Sequence, residues 1–428
     1  MTVTAPPRPP RPNDPVDRDE LEALVEALIE EARRRARRRR LLYAAVAATV
    51  AVAGVAVFVV FDRAARSQPH PSQPVARPSL AAGSGESKIA FLSDVPKARL
   101  PKGVRWQGEL YVTNIDGSGM RRLARFASAF TLPTWSPDGR TIAFERRVGP
   151  RGAPPPGNGA CRVCHIEIFV VNADGRGLRN LTGNAGGDVP VWSPDGRTIA
   201  FSRGEGFTPT LYVMNADGSG QRRVTQDPIH VWGASWSPDG RRLAFSSGVQ
   251  GNPLNFQIYV VNVDGSEQHK LTRSPASDDG PAWSPDGRTI AFRRFLPSSV
   301  PKHFTTNLYL MNADGSEQRK LTRLSNSDAS FSWSPDARRI AFVSKRDGND
   351  EVYVINADWG DLRNMTRSPT RDGHPVWSSD GRMIGFVSNR GGNRDIYVMN
   401  ADGGRQRNLT RNLDQKAFAI AWMPTPRS

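Results

Sequence analysis

Cysteine and histidine are scarce in this chain, two and six among 428 residues. The cysteines stand together as Cys161 and Cys164, so they can close one local loop and no more. No Gly-x-Ser-x-Gly, His-Glu-x-x-His or P-loop occurs, which leaves nucleophile-elbow hydrolysis, zinc-helix proteolysis and P-loop chemistry without their signatures. Acidic charge is also in short supply. Lys and Arg number 58 against 42 Asp and Glu, a formal net charge of +16. Residues 1–61 hold ten of the basic and eight of the acidic side chains, so the excess belongs to the rest of the chain. Such an excess favours anionic partners: lipid headgroups, wall polymers or acidic protein faces. The basic residues are scattered rather than gathered on one element, so nucleic acid is not an expected partner.

What the chain has in quantity is repetition. Trp135-Ser136-Pro137-Asp138-Gly139-Arg140-Thr141-Ile142-Ala143-Phe144 returns at Trp192, Trp236 and Trp283, and more loosely at Trp333 and Trp377. A second phrase, Leu211-Tyr212-Val213-Met214-Asn215-Ala216-Asp217-Gly218, travels with it. Self-similarity at about 40–50 residues is the mark of propellers and solenoids. Each repeat offers four strand-like pieces that alternate apolar and polar residues. The Ser-Pro-Asp-Gly turns and the Asn-Ala-Asp-Gly hairpins (Asp217, Asp314 and Asp402 among them) supply turn chemistry, and the Trp reads as a wedge between blades. The second strand occurs seven times, from Ile89 to Ile384, and the Trp strand seven times, from Trp135 to Trp422. The order is offset, because the domain opens on a second-type strand near Lys88 and ends on a Trp strand. The fold class expected is therefore all-β: a seven-bladed propeller of four-stranded antiparallel blades, with both chain ends zipped into one blade so that no edge stays open.

These phrases resemble the repeats of the TolB-like, WD-repeat-like bacterial propellers, over about residues 88–422. The resemblance implies a periplasmic or surface-exposed protein-interaction module, as in the Tol–Pal envelope system. The family's namesake resembles a six-bladed ring behind a separate small domain and a cleaved signal; this chain shows seven units, a spacer and an anchor instead. Within the repeats, blade six carries Ala337 for the turn Gly and Trp359 in the hairpin, and blade seven carries Ser379 for Pro and Gly385 for Ala. The repeats also resemble the non-catalytic propellers of prolyl-oligopeptidase-type enzymes, but six residues beyond Trp422 offer no room for their hydrolase domain. Pectate-lyase-like propellers keep channel-centred lyase or hydrolase chemistry open as an alternative to binding. No enzyme activity is expected.

Ahead of the repeats the chain divides cleanly. Residues 1–16, rich in Pro and Arg, read as a disordered tail. Residues 17–40 read as a basic amphipathic helix: Leu21, Leu24, Val25, Leu28 and Ile29 form one stripe that runs into seven arginines between Arg33 and Arg40. That stripe (21–32) fits a helix lying on the inner leaflet, or a short parallel coiled coil that dimerises the protein. Residues 41–61 carry no charge and suffice, at about 1.5 Å per residue, to cross a bilayer. No small-x-small site follows Phe61, so the segment is expected to stay as a signal-anchor with the arginines cytoplasmic. Residues 62–87 form a Pro/Ser/Ala/Gly spacer, and 88–428 the propeller. This makes a single-pass cell-membrane protein with its propeller outside the cytoplasm, binding an envelope protein or an anionic wall or lipid polymer. A sensor that signals inward through the helix is the further alternative.

Two features could carry site chemistry. Asp188, Asp279, Asp328 and Asp372 stand four or five residues before a Trp, where the innermost strand enters. They form either a carboxylate ring at one channel mouth, holding a cation or a basic peptide with His374 beside it, or Asx turns that cap the loops. The other is an insertion that stretches the spacing from Trp135 to Trp192 to 57 residues and ends in Cys161-Arg162-Val163-Cys164-His165. As written this is the attachment pattern of c-type haem. A haem needs an apolar pocket, which a Gly, Pro and Arg loop does not provide, whereas a local disulfide suits an oxidising compartment. A disulfide between Cys161 and Cys164 and no cofactor is the expectation, with c-type haem at Cys161, Cys164 and His165, metal binding or free thiols as the alternatives.

Overall fold

The computed structural model describes residues 87–95, 108–127, 132–149, 165–204, 209–225, 230–249, 252–297, 304–324, 329–411 and 413–425. Its strands all fall within one compact unit, Ala81–Ser428. The expected tail, basic helix, anchor and nearly all of the spacer (residues 1–86) lie outside the described residues. Among the described residues no helix is long and apolar enough to cross a membrane.

Among the described residues twenty-eight strands follow in chain order. Blade one holds β1 (Lys88–Asp94), β2 (Gly108–Asn114) and β3 (Arg121–Ala127); blade two holds β4 (Thr134–Trp135), β5 (Thr141–Val148), β6 (His165–Asn172) and β7 (Arg179–Asn180). Blade three runs β8 (Asp188–Trp192), β9 (Thr198–Arg203), β10 (Thr210–Asn215), β11 (Arg222–Arg223), and blade four β12 (Val231–Trp236), β13 (Arg242–Val249), β14 (Asn252–Asn262), β15 (His269–Lys270). Blade five is β16 (Ser277–Trp283), β17 (Thr289–Pro297), β18 (Phe304–Asn312), β19 (Arg319–Arg323), and blade six β20 (Phe331–Trp333), β21 (Arg339–Ser344), β22 (Glu351–Asn356), β23 (Arg363–Asn364). Blade seven is β24 (Asp372–Trp377), β25 (Met383–Ser388), β26 (Asp395–Asn400), β27 (Arg407–Asn408), and β28 (Ala417–Trp422) returns to pair antiparallel with β1. Seven four-stranded antiparallel blades result, blades one and two being joined by a single bridge from β3 to β5 (Ala127 to Arg146), and the last strand completes the first blade as the offset order predicts.

The repeated turn closes the first and second strands by a fixed set of bonds. In blade two Ser136 Oγ donates to Asp138 Oδ1 at 2.5 Å, the Arg140 N–H donates to the same oxygen, and the Thr141 N–H donates to Ser136 Oγ. Gly139 supplies φ +68°, and the same place is taken by Ala337 at φ +59° in blade six. The hairpins behave alike: Asp217 Oδ1 accepts the Ser219 N–H at 2.9 Å, and Asp314 repeats this with Ser316.

The middle strands depart from the expected alternation. Ile142, Ala143 and Phe144 are all buried, as are Ile199, Ala200 and Phe201 and their counterparts in other blades. Each blade has a neighbour on both faces, so consecutive side chains find apolar surroundings on either side. The second-strand Phe lies against the third-strand aromatic of its own blade, as in Phe91–Tyr111 (5.4 Å) and Phe245–Tyr259 (5.7 Å).

The Trp strands are innermost, and each of the seven seams between them carries a hydrogen bond. Four indole N–H groups donate to the preceding blade: Trp135 to Ala421 O, Trp236 to Val191 O, Trp333 to Ala282 O and Trp422 to Val376 O. At two more, Ser235 Oγ and Ser332 Oγ accept the backbone N–H of Trp283 and Trp377. At the last, Thr134 Oγ1 donates to Pro190 O. The wedge reading of the Trp is correct, with the indole acting as a polar clip as well as a spacer.

Candidate functional site

The two ends of the ring differ in a way that locates the site. At one end every turn between first and second strands in blades two to seven has five residues, and every hairpin between third and fourth strands has six. At the other end the connections between second and third strands run from two residues (β13 to β14) to sixteen (β5 to β6). Uniform turns serve the scaffold; variation collects where function is carried. Asp188, Asp279 and Asp372 all stand at the variable end, where the innermost strands enter. The strands flanking the Gly/Pro-rich insertion meet at the same end.

The innermost strands share a kink there. Pairing slips after Asp188, Trp232, Asp279 and Gly373. The next residue adopts the left-handed conformation in each case: Val189 (φ +51°), Gly233 (+55°), Gly280 (+60°) and His374 (+50°). For a β-branched valine this is a strained backbone. Asp188, Trp232 and Asp279 are register equivalents, facing Ser202, Ser246 and Arg293 across the strand pair.

The structure separates the four expected acids. Asp279 is half-buried, and its Oδ1 accepts the Arg293 Nε–H at 2.6 Å; burial pushes its carboxyl up against the pull of that guanidinium. Asp188 has no such partner. Its Oδ1 is buried without a hydrogen bond, and burial together with the nearby Glu145 carboxylate pushes its pKa up to about 7. Asp372 is fully buried, aimed at Arg390 Nη2 (2.8 Å), and so faces a blade seam rather than the mouth. Its counterpart in blade five is Asp278, held by Arg294 at 2.6 and 2.8 Å. Asp328 lies outside the described residues. His374 occupies the bulge of blade seven at the mouth. The hairpin acids keep to the opposite end.

Sequence reasoning missed Glu145 and Trp232. Glu145 directly follows the Ile-Ala-Phe of blade two, is 2% exposed, and its Oε1 accepts the Val189 N–H at 2.6 Å. A charged residue directly after that Phe, as at Glu145 and Arg293, was the available signal. Trp232 is 53% exposed on an innermost strand. Cys161 and Cys164 lie outside the described residues. His165 opens β6 with Nε2 2.5 Å from Glu167 Oε1. Among the described residues no three His, Cys, Asp or Glu side chains gather as a metal site.

The closed ring defines the class: a seven-bladed β-propeller with one regular and one variable end. Residues 222–295 and 305–426 match the profile of the TolB beta propeller domain. The Tol-Pal system protein TolB of Anaeromyxobacter dehalogenans (strain 2CP-C) is 33% identical over 120 residues, 28% of this chain and 24% of that protein. TolB of Anaeromyxobacter sp. (strain K) is 32% identical over the same shares. The match thus spans about a quarter of the length of these relatives. An oligogalacturonate lyase solved with manganese superposes with a TM-score of 0.53 at 17% identity, over 75% of this chain and 85% of that one, a likeness of fold alone. Over residues 222–295 and 305–426 the ring thus carries repeats of the TolB propeller type.

Proposed function

We propose that this chain is a membrane-anchored propeller that binds a protein or polymer of the cell envelope at its variable end, outside the cytoplasm. The anchor over residues 41–61, the cytoplasmic tail and the spacer enter as part of this reading, as does a disulfide between Cys161 and Cys164 in an oxidising compartment. The observation that carries it is the asymmetry of the ring. Its regular turns are the same device repeated, while a half-buried acid, an exposed indole and strained bulges collect at one mouth. A site with no nucleophile elbow and no gathered metal ligands among the described residues suits recognition better than turnover. The relatives' place in a Tol-Pal system supports a protein of the envelope as the partner class.

The test is affinity capture. The soluble domain from Pro78 to Ser428 is incubated with detergent-solubilised envelope, beside a variant carrying Asp188→Asn and Asp279→Asn. A partner held by the native domain and lost by the variant supports binding at the mouth. Capture of nothing by either form sinks the interaction reading and turns attention to carbohydrate turnover.

A further inference from the structure

The net charge of the chain argues for an anionic partner, yet the mouth is built the other way. Asp188, Trp232 and Asp279 occupy one register position on three consecutive innermost strands, each one residue ahead of a left-handed bulge. They therefore stand at the same depth. Trp232 differs from the repeat tryptophans below it in that half of its surface meets solvent. Its backbone is nonetheless fixed, because Ser246 Oγ donates to the Trp232 carbonyl at 2.6 Å and accepts the Gly280 N–H at 3.3 Å. An exposed aromatic on a fixed backbone is what an interface anchor requires, since little ordering remains to be done on binding.

The neighbours on either side of Trp232 differ by one feature. Asp279 faces Arg293 across the strand pair and is neutralised by it. Asp188 faces Ser202, and across the seam it meets a second carboxylate, Glu145. The fold thus supplies a guanidinium to one of two equivalent acids and leaves the other with a buried, unbonded oxygen. We infer that Trp232 and Asp188 form an anchoring subsite for a lysine or arginine side chain of a protein partner, its apolar stem lying on the indole and its cation reaching the carboxylate. This rests on the binding function proposed above and names the chemistry that the partner brings to it. Local charge decides the matter over the net charge, because screening confines exposed charges to about 8–10 Å.

The test uses the full-length protein in detergent, labelled with 5-fluorotryptophan, with the Trp232 fluorine resonance assigned from its loss in Trp232→Phe. Three probes are titrated at low salt: acetyl-trilysine amide, the uncharged acetyl-trinorleucine amide, and a short polyphosphate. Trilysine is expected to shift the Trp232 resonance, and the other two are not. Asp188→Asn should weaken the trilysine response by about ten- to a hundredfold, the scale of one charge-assisted hydrogen bond. Ser202→Arg, which copies the Arg293 arrangement into blade three, should do the same without removing an acid. Far-UV circular dichroism shows which variants are folded, and Asp188→Asn, being isosteric, keeps the test alive should Ser202→Arg fail. Silence of Trp232 to trilysine, an equal shift by norleucine, or a shift by polyphosphate overturns the inference. Envelope capture that depends on the mouth acids, alongside a Trp232 silent to lysine, overturns this subsite and leaves the binding function standing. A lysine-responsive Trp232 with nothing captured supports the subsite and removes the envelope partner.

Discussion

Gly385 gives the sharpest test of how the ring closes. Six blades place Ala at this position of the second strand (Ala90, Ala143, Ala200, Ala244, Ala291 and Ala341), so repeat consensus predicts that Gly385→Ala stabilises. Glycine in a strand interior costs about 0.5–1 kcal/mol relative to alanine, which sets the size of that gain. The packing says the opposite. A Cβ on Gly385 would stand 2.4 Å from Ile420 Cδ1 and 3.1 Å from Trp422 Nε1, both on the closing strand β28. Carbon atoms pack at about 3.5–4.0 Å, so more than 1 Å of movement is needed. Ile420 is 1% exposed, and the Trp422 indole is tied to Val376 O at 2.9 Å, so neither yields cheaply. Overpacking of this kind costs about 1–3 kcal/mol, leaving a net loss of up to about 2.5 kcal/mol once the backbone gain is counted. Ile420→Val removes the clashing methyl at a cost of about 0.5–1.5 kcal/mol by itself. In that background Gly385→Ala should become neutral or stabilising. Urea denaturation of the four proteins of this cycle measures the coupling. A stabilising Gly385→Ala in the wild type, or the same effect in both backgrounds, would refute the close fit between β25 and β28.

Three further outcomes follow from the same geometry. Ala337→Gly should raise stability by about 0.5–1 kcal/mol in thermal unfolding, because a left-handed residue with a Cβ costs about 1–2 kcal/mol and glycine's own entropy returns only part of it. Asp188 has a folded pKa raised to about 7 above its ordinary value of 3.8, so folding takes up a proton there. Stability from this group is greatest below pH 4, falls as pH rises from about 4 to 7 and is flat above; Asp188→Asn should flatten that slope in a pH series of unfolding midpoints. Deleting residues 417–428 removes β28, exposes the β1 edge, and should replace one cooperative unfolding transition by a broad one with strong dye binding.

The fold was legible because its signals are repeated. Seven copies of a Trp strand in register fix blade number, and the offset between first and last strands predicts the closure that β28 makes. The strand pattern was read less well. Alternation is the rule for a sheet with one wet face, whereas a propeller blade is covered on both, so Ile-Ala-Phe is buried throughout. At the mouth, spacing from the Trp placed four acids in one group but could not resolve a difference of one residue. Asp188 and Asp279 stand four residues before the Trp, and Asp372 five. Successive side chains of a strand point to opposite faces, so that single step sends Asp372 into the seam with Arg390 and leaves Asp188 and Asp279 at the mouth. The place of Glu145 directly after the blade-two Phe is a local signal, but its relation to Asp188 exists only across the seam between blades two and three.

Four innermost strands kink at the same place, two with glycine and two with Val189 and His374, which have no steric right to that conformation. Strain of this sort costs about 1–3 kcal/mol per residue and persists only where the surroundings over-determine it. Here the surroundings do: below each kink the Trp strands are bonded seam by seam round a closed ring, with no free edge through which the strain could relax. The Val189 N–H at the kink donates to Glu145 Oε1 at 2.6 Å. A fold that wanted only stability would place glycine at all four positions or none. The ring's rigidity is what allows the mouth to hold Asp188 beside a second carboxylate, and that unfavourable pairing is relieved when a cation arrives.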